Sequence, residues 1–177
     1  SLLDVRLRPP EPGDPRHEVE RALATVAAAG FPAATDDGQD DVALAVRRPL
    51  PWPAAATAAG LDDGGYVVVH PGASVPARAI APDHAEAVVK TLQARGRRVV
   101  LTGGPDEAPV TQGIAAATGA TDLGGRLSFA ELGAVLERAH AAVGGNSGPG
   151  HLAAAVGTRV VTLFAPVVPA RWWRPWT

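Results

Sequence analysis

The sequence contains no cysteine among its 177 residues. This absence excludes disulfide bonds, metal sites built from thiolates and a cysteine nucleophile. It fits a reducing compartment, and the first residues, Ser1-Leu2-Leu3-Asp4, are followed at once by charge and proline and do not resemble a signal peptide. We therefore expect a cytoplasmic protein.

The sequence also lacks an excess of charge of one sign and a long apolar run. Its 16 basic and 18 acidic side chains nearly balance, so no strong field attracts nucleic acid or a membrane surface. No apolar segment approaches the roughly 20 residues that a transmembrane helix needs. We expect a small molecule or another protein as the partner, and a chain of this length forms one core of ordinary size.

The first 60 residues differ in composition from the rest. They contain one amphipathic segment, residues 17–29, which predicts a helix ending at Gly30 and Pro32. Proline-rich or acidic stretches surround it at residues 8–13 and 36–41, and a Pro/Ala segment follows at 49–60. This composition predicts a linker or docking arm over residues 1–60.

From residue 61 to residue 177 the pattern indicates a doubly wound parallel sheet of the α/β class, Rossmann-like in form. Short β-branched runs predict strands at 66–70, 98–102, 141–144 and 159–164, with a weak one near 122–123. Between them, amphipathic segments predict helices at 82–95 and 128–140. The second of these begins with the capping-box pattern Ser128-Phe129-Ala130-Glu131 and should bury Phe129 and Leu132.

Three glycine-rich loops follow predicted strands, at residues 70–74, 102–107 and 144–151. Ligands of such sheets bind beyond the carboxyl ends of the strands, and a helix N-terminus there favours phosphate. In the third loop, Ser147 could cap a helix that starts near Gly148, leaving backbone N–H groups for a diphosphate, with His151 one turn into the helix. Each loop alone could be an ordinary tight turn, but three at one edge favour a binding crevice.

Patterns typical of other cofactor sites are absent from the sequence. It has no Walker motif and no Gly-x-Gly-x-x-Gly followed by a suitably spaced acid, and its five histidines lack zinc-protease spacing. We therefore expect neither a cofactor nor a bound metal.

The ordered motifs of these loops resemble the donor-binding domain of the heptosyltransferase family, glycosyltransferase family 9. The resemblance rests on VHPGAS at 69–74, LTGGPDE at 101–107, DLGGRLS at 122–128 and NSGPGHLAAA at 146–155. Residues 17–21 are similar to the segment leading out of that family's acceptor domain.

The resemblance implies one half of a GT-B glycosyltransferase that uses a nucleotide-diphosphate sugar, with an ADP-sugar favoured. Transfer would be inverting, independent of metal and directed to a hydroxyl acceptor during lipopolysaccharide or other glycan synthesis. The family's general base and acceptor site belong to an N-terminal acceptor-binding domain, which we expect to be missing here. The family's closing helices would follow the tryptophan-rich residues 171–177, whose indoles should bury against such a helix or a partner domain. This chain alone should therefore not turn over substrate.

The resemblance also implies individual roles at the donor site. Arg78 would brace a phosphate, with a solvated arginine at a helix start as the lesser alternative. Glu107 would contact the ribose, or would equally well only favour the helix dipole. Leu127 would support the base, and Asn146 stands where the family usually has aspartate. The full set of expected donor-binding residues is Ser74, Arg78, Thr102, Gly103, Gly104, Glu107, Leu127, Asn146, Ser147, Gly148, Pro149 and His151.

Two alternatives remain at this level. Asn146 and the lack of a tryptophan after Arg78 favour a non-catalytic nucleotide-binding or assembly module with the same fold. A nucleotide-sugar epimerase uses a similar cleft, although the loop order fits it less well.

Overall fold

The fold is built on a five-stranded sheet in a computed structural model that describes residues 15–32, 44–166 and 168–176. All of its strands are parallel, and their order across the sheet is β3-β2-β1-β4-β5. The strands are β1 (Val67–His70), β2 (Val99–Leu101), β3 (Thr121–Asp122), β4 (Ala141–Gly145) and β5 (Arg159–Leu163). The predicted strands are confirmed, and the weak one lies one residue earlier than expected.

Helices connect the strands. They are α1 (Glu18–Ala28), α2 (Ala54–Ala58), α3 (Pro82–Ala94), α4 (Ala108–Thr118), α5 (Phe129–Glu137), α6 (Gly148–Ala155) and α7 (Ala170–Trp173), with single 3₁₀ turns at Pro76–Arg78 and Pro105–Glu107. The sequence predicted α1, α3, α5 and the start of α6. Helix α4 was not predicted because Pro109 and Gly113 interrupt its apolar periodicity.

The helices form a layer on each face of the sheet. On one face, α2, α5 and α6 pack on the alternate strand residues Val68, Val100 and Ala142. On the other, α3 and α4 pack on Val69, Val99 and Leu101. Successive strand side chains point to opposite faces, so short runs of valine supply both cores. This is the doubly wound α/β fold that the sequence predicts.

The segment before β1 belongs to the packed domain from residue 50 onward, which differs from the expected arm. Ala56 and Leu61 are fully buried in the core beneath α5 and α6, and Leu50 and Trp52 pack against that core. The Trp52 indole N–H donates to Thr57 Oγ1 and Asp62 Oδ1, each at 2.9 Å. The proline-rich stretch 8–13 and the acidic stretch 36–41 lie outside the described residues.

Helix α1 contacts the tryptophan-rich C-terminal segment. The His17 ring accepts the N–H of Val19 at Nδ1, so Nε2 carries the proton that it donates to the carbonyl of Arg174 at 2.7 Å. The Trp176 ring lies 4.8 Å from that of His17, and the Arg21 guanidinium lies 4.4 Å from the Trp172 ring centroid. Two of the three tryptophans therefore contact α1 and its N-cap residue, a packing that the sequence did not predict.

Candidate functional site

A cavity of about 410 Å³ opens at the carboxyl edge of the sheet. The chain crosses from one face of the sheet to the other between β3 and β4, so the loops after the neighbouring strands β1 and β4 diverge and leave a crevice. The loops after β1, β2 and β4 and the start of α5 line it: His70, Ala73, Ser74, Thr102, Gly103, Gly104, Glu107, Leu127, Ser128, Phe129, Leu132, Ser147, Gly148 and Pro149. The volume is within the range of small-molecule sites.

The cavity brings together nine of the twelve expected donor-binding residues. These are Ser74, Thr102, Gly103, Gly104, Glu107, Leu127, Ser147, Gly148 and Pro149. They come from loops up to 75 residues apart in the chain, from Ser74 to Pro149, which the parallel sheet places at one edge. Arg78, Asn146 and His151 do not line it.

Arg78 lies in a separate cavity of about 390 Å³, which it shares with Ile80, His84 and Leu163. Its carbonyl oxygen approaches Gly145 so closely that a Cβ at residue 145 would collide with it. The Pro76–Arg78 turn is thus packed against the end of β4, and Arg78 lines this second cavity rather than the first one.

Asn146 and His151 flank the cavity-lining residues Ser147, Gly148 and Pro149 in the chain. The Asn146 side chain is only 4% exposed, and its Nδ2 has no hydrogen-bond partner among the described residues. His151 is half-buried, and burial, followed by the interaction with the neighbouring His17 ring, lowers its pKa below the ordinary value of 6.5. The His151 ring is therefore neutral near pH 7.

The N-terminus of α6 has a different cap from the one that the sequence predicts. Ser147 occupies the N-cap position, but its Oγ donates to the Gly145 carbonyl at 3.3 Å and does not cap the helix. Pro149 has no N–H, and the N–H of Gly150 donates to the Ser147 carbonyl at 3.1 Å. The N–H of Gly148 therefore faces a ligand at this helix end, and the Ser147 hydroxyl could donate to that ligand only by turning away from the Gly145 carbonyl.

Glu107 is the one carboxylate among the described residues that line the cavity. Its Oε2 accepts the backbone N–H of Gly104 at 2.7 Å and lies 3.5 Å from His70 Nε2. His70 Nδ1 is 2.9 Å from Thr102 Oγ1. Burial lowers the pKa of His70 and outweighs the Glu107 carboxylate, which raises it.

Apolar side chains form another part of the wall, at the start of α5. Leu127, Phe129 and Leu132 lie there, and the Phe129 side chain is 68% exposed although the periodicity of α5 predicts it to be buried. The capping box of Ser128 and Glu131 fixes this helix start: Ser128 Oγ accepts the N–H of Glu131, and the Glu131 carboxylate accepts the N–H of Ser128 at 2.8 Å.

Five lining residues were not among the expected site residues: His70, Ala73, Ser128, Phe129 and Leu132. The sequence does contain a signal for His70, because it ends a strand and begins a glycine-rich loop. Phe129 and Leu132 resemble core residues in sequence and could be assigned to the cavity only from the structure.

The described part of the chain contains neither a metal-binding cluster nor a membrane-spanning helix. No group of three or more histidine or acidic side chains is arranged to hold a metal ion there. In the same residues, no helix has the length and apolarity that crossing a bilayer requires.

Comparisons with known proteins relate this chain to a family of transferases. The model of glycosyltransferase family 9 (heptosyltransferase) matches residues 2–177. Lipopolysaccharide heptosyltransferase 3 of Escherichia coli K12 is 36% identical over 170 residues, which are 91% of this chain and 47% of the relative. This chain thus spans about half the length of that relative.

Solved structures of the family share the fold. A family 9 glycosyltransferase from Veillonella parvula superposes with a TM-score of 0.74 at 20% identity, covering 92% of this chain and 47% of that one. An E. coli heptosyltransferase solved with ADP superposes with a TM-score of 0.63, also at 20% identity, covering 91% and 48%. With the match over nearly the whole sequence, these findings show that the chain belongs to glycosyltransferase family 9, the heptosyltransferases.

Proposed function

We propose that this chain is the donor-binding half of a GT-B glycosyltransferase and that its cavity holds a nucleotide-diphosphate sugar. The observation that carries the proposal is the cavity itself, which lies at the crevice beside β1 and β4 and combines a helix N-terminus, a carboxylate and an apolar wall. A nucleoside diphosphate has three matching parts, namely an anionic diphosphate, a ribose diol and a flat apolar base. Family membership favours this reading over an epimerase.

The diphosphate fits the end of the cavity at α6. The Gly148 N–H and the Ser147 hydroxyl lie there, and the partial positive charge of the helix N-terminus favours an anion. Gly103 and Gly104 on the facing loop have no side chains that would keep a ligand from the backbone. Arg78 would reach the phosphates only by turning from its own cavity.

The nucleoside fits the remaining walls. The Glu107 carboxylate can accept hydrogen bonds from ribose hydroxyls, and Leu127, Phe129 and Leu132 can cover the faces of a base. We favour ADP over other diphosphates because a solved relative of this fold carries ADP.

Transfer would be a single inverting displacement that requires no metal ion. A hydroxyl oxygen of the acceptor attacks the anomeric carbon, the bond from that carbon to the diphosphate oxygen breaks, and the nucleoside diphosphate leaves with the electron pair. The Gly148 N–H and the dipole of α6 stabilise the charge that grows on the leaving diphosphate. A base from an acceptor-binding half would take the hydroxyl proton, so this chain alone should bind the donor without transferring the sugar.

The test is calorimetric titration of the chain with ADP, UDP and GDP, with and without a chelator. We expect saturable binding of one nucleotide, ADP first, with the same affinity when EDTA is present. In Ser147→Trp the indole fills the diphosphate end of the cavity and should weaken binding by more than about tenfold.

The matched control is Ala94→Trp, which adds an indole at an exposed position at the end of α3, near the opposite edge of the sheet. It should leave the affinity unchanged. If the wild-type chain binds none of the three nucleotides, or if both tryptophan variants weaken binding equally, the proposal fails and the non-catalytic assembly module is the better account.

A further inference from the structure

His70 ends the central strand β1 and is enclosed at the floor of the cavity. Its side chain is 10% exposed, and β2 and β4 flank its strand. A polar ring in this position loses hydration and needs hydrogen-bond partners of its own. Its partners therefore indicate what the residue does.

The two ring nitrogens of His70 face different groups. Nδ1 lies 2.9 Å from Thr102 Oγ1, and Nε2 lies 3.5 Å from Glu107 Oε2. A carboxylate only accepts hydrogen bonds, so the neutral ring satisfies both neighbours with its proton on Nε2, while Nδ1 accepts the Thr102 hydroxyl hydrogen. Thr102 is 1% exposed and its backbone N–H donates to Val69, so this hydroxyl is fixed in place.

The Glu107 carboxylate is enclosed on three sides. The Gly104 N–H donates to Oε2, and the imidazole of His70 faces the same oxygen. On the third side, the carboxylate lies against Gly72 in the space that a Cβ would occupy. A glutamate side chain has three rotatable bonds, so holding its head group this closely costs conformational entropy that the surrounding loops must offset.

We propose that His70 is a positioning residue that, with Thr102, orients the Glu107 carboxylate to receive the ribose hydroxyls of the bound nucleotide. This inference rests on the proposed function, because it assumes that the cavity binds a nucleoside diphosphate. The chain from Thr102 through His70 to Glu107 is pre-organised, so the carboxylate meets the ribose without rearrangement. The consequence is that the protein selects ribonucleotides over 2′-deoxynucleotides. This selectivity depends on the His70 imidazole, although the imidazole need not touch the sugar.

The test uses the nucleoside diphosphate that binds best among ADP, UDP and GDP, its 2′-deoxy counterpart, and inorganic pyrophosphate. The quantity compared is the ratio of the 2′-deoxy Kd to the ribo Kd. In His70→Leu this ratio should fall by about tenfold, the value of one hydrogen bond, while the pyrophosphate Kd stays the same. In His70→Gln a side-chain N–H again faces the carboxylate, and much of the ratio should return.

Two further variants separate positioning from direct contact. Thr102→Val removes the hydroxyl that selects the ring tautomer and should lower the ratio without any change at His70. In the Glu107→Gln background, His70→Leu should not lower the Kd ratio further, because the effects of two substitutions that act through one group are not additive. His140→Leu changes an exposed histidine beside the amino end of β4 and is the matched control.

The outcomes are distinct. If the wild-type chain binds no nucleotide, the proposed function fails and this inference fails with it. If the wild-type chain binds nucleotide but the ratio is the same in His70→Leu, His70→Gln and Thr102→Val, only the positioning role is overturned. Equal weakening of ribo, 2′-deoxy and pyrophosphate binding in His70→Leu would also overturn it, because that result indicates contact with the diphosphate. If His70→Leu does not fold, Thr102→Val and His70→Gln decide between these outcomes.

Discussion

The missing side chain of Gly72 leaves the space in which the Glu107 carboxylate lies. Replacing this glycine with alanine places a methyl group where the Glu107 carboxylate lies. The glutamate end is mobile enough to move aside, so we expect little loss of stability but about a tenfold loss of nucleotide affinity by calorimetry. Gly113→Ala, which meets no neighbouring atom in α4, is the control. Unchanged affinity in Gly72→Ala would show that the carboxylate position is unimportant.

The buried hydroxyl of Tyr66 should make the stability of the protein depend on pH in the alkaline range. Its O–H donates to the Val135 carbonyl at 2.7 Å, and burial, opposed by Arg138 and Arg98, raises its pKa from 10.0 to about 12. Because the folded pKa is the higher one, the stabilisation is complete below pH 10 and is lost between about pH 10 and 12.

Tyr66 is the only tyrosine in the sequence, so phenolate absorbance reports it alone. We expect its titration midpoint near 12 in the folded protein and near 10 in urea. Tyr66→Phe should remove this part of the alkaline stability loss and lower the free energy of unfolding at neutral pH by about 1 kcal/mol. Identical midpoints in folded and unfolded protein would contradict the burial argument.

Which residues line the cavity depends on the directions of their side chains, and the sequence does not give those directions. The loops could be placed because strands and glycines mark them, but Arg78 and Asn146 were assigned to the site from the resemblance to the family, which does not give the directions of their side chains. The close approach of the Arg78 carbonyl to Gly145 fixes the turn elsewhere. Phe129 shares the helical periodicity of Leu132, yet it is the first residue of α5 and extends beyond the edge of the core.

Among the elements, the two serine N-caps differ in a testable way. Ser128 caps α5 through its side chain, whereas Ser147 at α6 does not. Ser128→Ala should therefore lower the free energy of unfolding by about 1 kcal/mol, and Ser147→Ala by less than about 0.5 kcal/mol. Chemical denaturation measures both values. Equal losses would mean that Ser147 also caps its helix.

The regular elements were predicted where one pattern dominates. Runs of valine in β1 and β2 and the capping box of α5 each have a direct physical reason to adopt their structure. Helices α2, α4 and α7 lack such patterns, because they are short or contain proline and glycine. Tertiary packing, rather than local sequence, determines them.

At the scale of the whole molecule, the segment before the sheet is part of the folded domain. The Arg138 guanidinium lies 4.0 Å from the Trp52 ring centroid, and the indole N–H is bonded to Thr57 and Asp62. Trp52→Ala should lower the free energy of unfolding by about 2 kcal/mol. Trp173→Ala, at a side chain that is 39% exposed, should change it by less than about 0.5 kcal/mol. An unchanged free energy of unfolding in Trp52→Ala would instead favour the interpretation of this segment as a loose arm.

Amide hydrogen exchange with and without the nucleoside diphosphate that binds best would locate the donor site on the molecule. We expect slower exchange in the loops at residues 70–74, 102–107 and 147–151 and at the start of α5, with no change around Arg78 in the neighbouring cavity. Protection confined to the Arg78 cavity, or no protection at all at saturating nucleotide, would contradict the claim that the crevice beside β1 and β4 is the donor site.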